Sequence, residues 1–522
     1  MRHLKPVQIY GRVWFHAVRP KPDLRAAPPV RAVTGPWVSS PVRPCSIIAP
    51  DVVRLLGREA QLADRAAWSS PEHPRLWLYN LHYFDDLAAP ADSTRRAWQR
   101  GFVARWIAEN PPAEGPGWEP YPTSLRIVNW VKWSRAGVEL TDDAVASLAV
   151  QARWLRSRIE HHLLANHLFV NAKALVVAGL FFDGPEASAW REAGLAIIRR
   201  ELPEQVQADG GHYEGSPMYH ALMLEDLLDL INLATSIPGV VPAADVTSWR
   251  STAARMAPWL RAMTHPDGEI AFFNDAAMGV APTADALDSY AAALDIPRAN
   301  GALSDSGYVR AERTGAVLIA DVAPVGPDYQ PGHAHADTLS FELSLNAHRV
   351  FVNCGTSTYD VGQRRDRERS TAAHTTVTID EANSSDVWGA FRVARRARAT
   401  CVERHDADGT FTLRGAHDGY RHRVGHPTHE RTWEFAVGQL VITDRCAGAT
   451  KAVARYHLHP DVHPEADGLL RLPDGSTARW TVIGGTASVV PSEWSRSFNE
   501  ARATTCIEVS IDRDESRMEL RW

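Results

Sequence analysis

Phe341-Glu342-Leu343-Ser344-Leu345-Asn346-Ala347-His348-Arg349-Val350-Phe351-Val352 is the stretch whose reading decides the fold. Phe341, Leu343 and Leu345 alternate with polar residues, and Val350 and Val352 resume after Asn346-Ala347-His348. Successive side chains of a strand point to opposite faces, so this period of two with a turn inside it specifies an antiparallel pair. Moving forward, alternation recurs at 374–380, 409–414, 431–444 with Gly438 at its turn, 452–458 and 469–483, where Pro473-Asp474-Gly475 is a hairpin signal. Residues 305–522 therefore read as an antiparallel β-sandwich.

Moving backward from about Asp305, the period rises to near four. Asp92-Ser93-Thr94 can cap a helix whose Trp98, Phe102 and Trp106 recur every four residues. Pro122-Thr123-Ser124 precedes another through Ile127 and Val131, and Thr141-Asp142-Asp143 opens a third with Leu148, Ala152, Leu155, Ile159 and Leu163 on one stripe. Further helices fit 167–182, 186–202, 217–236, 244–265 and 284–292. Residues 71–304 are thus expected to form a helical domain. Residues 1–70 are Pro-rich and irregular and read as an arm with a short helix over 51–67. The fold class is multidomain, α then β.

A chain of 522 residues exceeds one hydrophobic core. Its net charge of −6 excludes a nucleic-acid binder working by bulk electrostatics. Only five of the 56 basic residues are Lys, so arginine clusters are read with restraint. Five Cys without a CxxC spacing suggest neither a disulfide framework nor a zinc ribbon. No run of eighteen apolar residues offers a membrane span. Met1–Pro20 lacks a clean apolar stretch before a cleavage site, which sets a cytoplasmic expectation and leaves periplasmic or secreted placement open. Oligomeric state is left open. Dinucleotide, P-loop, GxSxG and HExxH motifs are missing.

Three segments carry chemistry. In Gly332-His333-Ala334-His335-Ala336-Asp337 an extended backbone would place His333, His335 and Asp337 on one face, as metal ligands or as a base and a ligand; a polar strand end with surface histidines is the bland alternative. His374 opens a later strand and can approach them. Asn166-His167 lies between helices and can donate two hydrogen bonds to an anion, or be a cap and a packed histidine. In Asp209–His220, Ser216-Pro217 starts a helix and puts Tyr219 in its first turn, beside the positive end; His212, Tyr213 and Glu214, together with Arg369, are candidates to contact substrate. Arg364, Arg365, Arg367 and Arg369 among Asp366 and Glu368 read as a solvated mixed-charge loop. The eighteen Trp offer sugar-stacking surfaces as well as core.

Taken in order, Asn166–Lys173, Asp209–His220, Gly332–Phe341 and Ser370–Val377 resemble the heparinase II/III-like polysaccharide lyases over roughly residues 75–520. The opening Leu4-Lys5-Pro6 and Tyr10–Trp14 is similar to members encoded with bacterial surface-polysaccharide genes. The resemblance implies an incomplete (α/α) toroid followed by antiparallel sheets. It implies β-elimination at a 4-linked uronate in an acidic polysaccharide, with Asn166 and His167 neutralising the carboxylate and Tyr219 and His333 as base and acid in one cleft. It also places His335, Asn353 and His374 at the ligand positions of one divalent metal, zinc or calcium, with no organic cofactor. Asn353 stands where a carboxylate is expected and is a poorer, neutral ligand. With no arginines clearly aimed at sulfate, an unsulfated uronate is favoured. Two other readings remain: a glycoside hydrolase using Glu214, Asp209, Asp275 or Asp337, and a non-catalytic glycan-binding factor.

Overall fold

A computed structural model describes residues 3–298 and 303–522. The chain groups into two units: one of residues up to 206 with 222–257 and 285–298, the other of residues 207–221, 258–284 and 303–522. Segment 207–221, which carries Tyr219, therefore belongs with the sheets.

The helices are α1 Pro6–Ala17, α2 Arg75–Leu81, α3 Ser93–Glu109, α4 Pro120–Arg135, α5 Asp142–Ser157, α6 Ala165–Phe181, α7 Pro185–Gln205, α8 Pro217–Ser236, α9 Ala243–Ala262, α10 Ala284–Ala293 and the short α11 Gln363–Glu368. Their starts follow from capping chemistry: Asp92 accepts from the Arg95 amide and Thr141 from that of Ala144. In the first unit α6 packs on α4, α5 and α7, the stacking of an incomplete (α/α) toroid. Trp106 is its aromatic centre, ringed by Phe84, Trp118 and Trp130, with the buried Arg126 guanidinium 3.7 Å from the Trp106 centroid. Much of the tryptophan is core.

The expected helix over 51–67 is replaced by strands. β1 Ile47–Ala49, β2 Val52–Leu55 and β3 Arg58–Gln61 form a small antiparallel sheet. Leu56 and Gly57 take φ of 49° and 72°, the paired left-handed geometry of a tight hairpin turn, which outweighs the helical reading of their neighbours.

In the second unit β4 Tyr308–Arg313, β5 Ala316–Asp321, β6 Phe341–Leu345 and β7 His348–Phe351 form one sheet in chain order. After them come β8 Val377–Ile379, the hairpin β9 Val387–Trp388 and β10 Arg392–Val393, β11 Ala399–Ala407, β12 Thr410–His417, β13 His429–Ala436, β14 Gln439–Arg445 and β15 Ala452–His457. The chain ends with β16 His463–Pro464, β17 Leu469–Arg471, β18 Thr477–Ile483, β19 Gly485–Trp494, β20 Arg502–Ile511 and β21 Glu515–Arg521. An eight-stranded sheet runs β11-β12-β13-β14-β21-β18-β17-β16, and a four-stranded one runs β19-β20-β15-β8. Register aligns Leu413, Trp433, Ile442 and Met518 across four neighbouring strands, all buried in a core shared with Phe341, Phe351 and Tyr456. The 341–352 reading is realised as β6 and β7, turned at Asn346 with φ 54°.

Inside this core His417 meets His429 at 3.2 Å, His429 meets Asp444 at 2.8 Å, and Arg431 pairs with the same carboxylate at 2.7 Å. Burial holds both imidazoles below their usual 6.5, His417 far below. The unfolded chain therefore binds protons that the folded chain refuses, so stability is complete above pH 6.5 and falls as pH drops below it. The denaturation midpoint is expected to decrease from pH 7 to pH 5, on the order of 1 kcal/mol per pH unit for each extra proton. His417→Gln should flatten that dependence; an unchanged slope would show that this pair carries none of it.

Candidate functional site

Tyr219 and His333 lie together in the second unit. Ser216 Oγ accepts from the Tyr219 amide at 3.2 Å and Pro217 opens α8, so the phenol emerges from the first helical turn. Its ring stacks on His333 with centroids 3.8 Å apart and planes 18° from parallel. Its hydroxyl lies 3.1 Å from that of Tyr359. On the far side of the imidazole, His333 Nδ1 lies 2.7 Å from Glu214 Oε2. A carboxylate there makes Nδ1 the donor and leaves Nε2 as the exchangeable nitrogen. Burial opposes the Glu214 charge, but His333 and its hydrogen bond outweigh that and hold the carboxyl below its usual range. Gly215 between them has φ 69°, and a Cβ there would come within 2.9 Å of the Asn274 amide.

One buried carboxylate holds these pieces in place. The Asp275 carbonyl accepts from Ser216 Oγ, its amide donates to the His333 carbonyl at 3.0 Å, and its side chain takes Arg365 Nη2 at 2.7 Å and His335 Nε2 at 2.9 Å. Burial would raise its pKa, yet Arg365 and His335 together hold it well below normal. The segment Arg364–Arg369 is only partly the solvated loop expected: Arg364, Asp366 and Arg367 are exposed, but the segment is helical and the rest is buried. It is α11, whose Arg365 and Glu368 turn inward, as does the adjoining Arg369. The 3–4 spacing of these residues marks a helix face, the signal that charge content obscured.

The HxHxD segment is not extended. It is a turn-rich loop before β6, with Leu339 at φ 61°, and it sends His333 to Tyr219 and Glu214, His335 to Asp275, and Asp337 to the Asn274 amide. His374 follows a short 3-10 turn rather than opening a strand, and its Nε2 meets His335 Nδ1 at 3.1 Å. Asn353 uses its amide inwardly: Nδ2 donates to the Phe272 carbonyl at 2.8 Å and Oδ1 accepts from the Thr375 amide at 3.0 Å. The expected ligand set thus does not fit a cation. Its carbonyl oxygen is engaged, its two imidazoles bond to each other, and no group of three or more His, Cys, Asp or Glu among the described residues could hold a metal.

The first unit carries Asn166 and His167. Leu164 and Ala165, at φ 59° and 49°, turn the chain sharply into α6, so both residues sit in its first turn, where unpaired amides favour anions. The His167 ring lies 4.5 Å from that of Tyr121, and His167 Nδ1 is 3.1 Å from Glu160. Burial, followed by the Asp226 charge, raises the Tyr121 phenol above its ordinary value.

Of the expected substrate contacts, Tyr213 is partly exposed, whereas His212, Glu214 and Arg369 are buried. Arg369 donates to the carbonyls of Ala334, Trp388 and Arg392 and so braces backbone instead of offering charge to a ligand. The other hydrolase carboxylates are engaged as well: Asp209 accepts from the Gly211 and Ser306 amides, and Asp337 from Asn274. Tyr359, Tyr121 and Glu160 escaped the sequence reading because isolated residues carry no local pattern.

Chelator treatment is expected to leave the melting temperature unchanged, with no stoichiometric zinc or calcium in the purified protein by elemental analysis. A bound equivalent whose removal lowers the melting temperature would contradict the hydrogen-bonded reading of His335, Asn353 and His374.

The family model described as heparinase II/III N-terminus matches residues 83–296, and the one described as heparinase II/III-like, C-terminal, matches 295–522. A heparin-sulfate lyase of Bacteroides stercoris is 27% identical over 250 residues, 42% of this chain and 36% of that protein. One of Pedobacter heparinus is 24% identical over 251 residues, again 42% and 36%. The matched stretch thus spans little more than a third of these relatives' length. Among solved structures, a heparinase III aligns with TM-score 0.67 at 18% identity, covering 87% of this chain and 78% of that one. A heparan sulfate lyase of Pedobacter heparinus aligns at 0.57 and 17% identity, covering 99% and 87%. Both likenesses concern the fold, a helical toroid followed by antiparallel sheets. The two family models together span most of the sequence, and the chain belongs to the heparinase II/III family.

Proposed function

We propose that this protein is a polysaccharide lyase that cleaves a uronate-containing glycan by β-elimination. The observation that carries the reading is the Tyr219 phenol stacked on His333, with Glu214 behind the imidazole and Tyr359 beside the hydroxyl. Elimination needs one group to take a proton from carbon and one to return a proton to oxygen, and this pair offers both.

The C5 proton beside an ionised carboxylate is weakly acidic, so the developing enolate needs neutral donors or positive charge. Asn166 and His167, in the first turn of α6, are assigned that role. His333 Nε2 takes the C5 proton, the electron pair forms the C4–C5 double bond, and the C4–O4 bond breaks. Tyr219 gives its proton to the departing O4, with Tyr359 as its hydrogen-bond neighbour. For the epimer that presents C5–H and O4 on one face, Tyr219 serves both steps. The relatives named as heparin-sulfate lyases support an acidic glycan as the substrate class. A hydrolase would need two free carboxylates flanking the linkage. Asp209, Asp275 and Asp337 are committed to internal partners, which leaves Glu214, bonded to His333 through Oε2 alone, without a second.

The test is ultraviolet absorbance of the 4,5-unsaturated product on heparosan, heparan sulfate, hyaluronan, chondroitin and alginate. Tyr219→Phe, which keeps the ring, is expected to lower kcat about 10²–10⁴-fold, and His333→Ala by a similar factor. New reducing ends without absorbance, lost in Glu214→Gln but kept in Tyr219→Phe, would establish the hydrolase instead.

A further inference from the structure

The hairpin β9–β10 stands out because its aromatic side chains face water. Trp388 is 50% exposed and Phe391 43% exposed, although the unit contains ample core to receive them. The hairpin is held firmly from beneath. Arg365 Nε donates to the Ala390 carbonyl at 3.0 Å, and Arg369 reaches the Trp388 and Arg392 carbonyls at 3.5 and 3.3 Å. Both guanidiniums are buried, and Arg365 is the one that pairs with Asp275. At the tip Ala390 is driven to φ 32°, a conformation that a β-carbon disfavours. Two buried arginines and a strained turn thus keep a half-exposed indole in solvent, an arrangement that leaves half of its apolar surface unburied.

Its position gives it a purpose. Phe391 packs edge-on against His333, centroids 6.2 Å apart, and against Tyr359 at 5.3 Å. The hairpin therefore begins where the catalytic pair ends. On the paired strand, Arg392 is exposed and its guanidinium lies over the Trp388 ring, 4.6 Å from the centroid. A half-exposed indole with a guanidinium over part of it matches a pyranose ring bearing an anionic group: the C–H face of the sugar packs on the exposed indole surface and the anion meets the guanidinium.

We infer that Trp388 and Arg392 form a subsite for an acidic sugar next to the one that reacts, and that they set the preference for longer chains. This rests on the lyase reading for the position of the cleaved sugar, but not for binding itself. The anionic group is a carboxylate or a sulfate, so heparosan and heparan sulfate oligosaccharides serve as the two arms.

Binding of hexasaccharides is measured by calorimetry in a Tyr219→Phe background, and cleavage of di-, tetra- and hexasaccharides in the active protein. Trp388→Ala and Arg392→Ala are each expected to weaken hexasaccharide binding about tenfold, the scale of one stacking or charge contact. Each should also shrink the ratio of hexasaccharide to disaccharide kcat/KM by a similar factor. The arm in which Arg392→Ala causes the larger loss identifies carboxylate or sulfate, and Arg392→Lys should restore part of it. Unchanged hexasaccharide affinity and an unchanged length ratio in both variants overturn the subsite. Absence of unsaturated product from every glycan overturns the lyase reading alone, since the binding arm still reports on the hairpin.

Discussion

The buried ion pair between Asp275 and Arg365 is the interaction on which the arrangement of the second unit's candidate site depends. Through its backbone Asp275 receives the Ser216 hydroxyl, which caps the helix presenting Tyr219, and donates to the residue presenting the imidazole, His333. Through its carboxylate it holds His335 and Arg365, and Arg365 in turn lies 4.9 Å from the Tyr359 ring centroid and anchors the β9–β10 hairpin. A buried pair of this kind adds little net stability, because desolvation offsets much of the attraction. Its value lies in geometry: removing either partner leaves an uncompensated charge at the junction of four segments.

This organisation explains why neutral hydrogen-bonded groups occupy the place where the family resemblance implied a metal. Asn353 carries no charge to attract a cation, and both ends of its amide are tied to backbone. The carboxylate that touches His335, Asp275, is already neutralised by Arg365. The His374–His335–Asp275–Arg365 chain has a counterpart in the core, His417–His429–Asp444–Arg431, with the same order of groups and similar spacings. In both, a carboxylate paired with a guanidinium bonds one buried imidazole, which meets a second, and burial disfavours charge on all four rings. Of these rings' nitrogens, His374 Nδ1 alone is left without a partner among the described residues.

Much of this was legible in the sequence where chemistry is local. The 341–352 alternation, the Ser216-Pro217 helix start and the caps at Asp92 and Thr141 depend on neighbours within a turn, and each appears at its expected place. That Tyr219 and His333 lie together was expected from the ordered motifs and not from a periodic pattern, and their rings are stacked. What could not be read depends on distant partners. Asp275 looks like any acidic residue until Arg365, ninety positions on, is folded against it. The charged run at 364–369 reads as wholly solvated because composition reports polarity and not the face on which it falls. The hairpin at Leu56-Gly57 was missed because apolar neighbours suit helix and strand alike.

Elimination and hydrolysis differ in one atom count, and mass spectrometry of the products reads it directly. Elimination consumes no water, so the two fragments of a defined oligosaccharide must sum to the mass of the intact substrate, and cleavage in ¹⁸O-labelled water must leave the nascent reducing end unlabelled. Tyr219 and His333 as donor and acceptor predict that result. Fragments heavier in total by one water, with ¹⁸O in a product, would contradict the account at its centre.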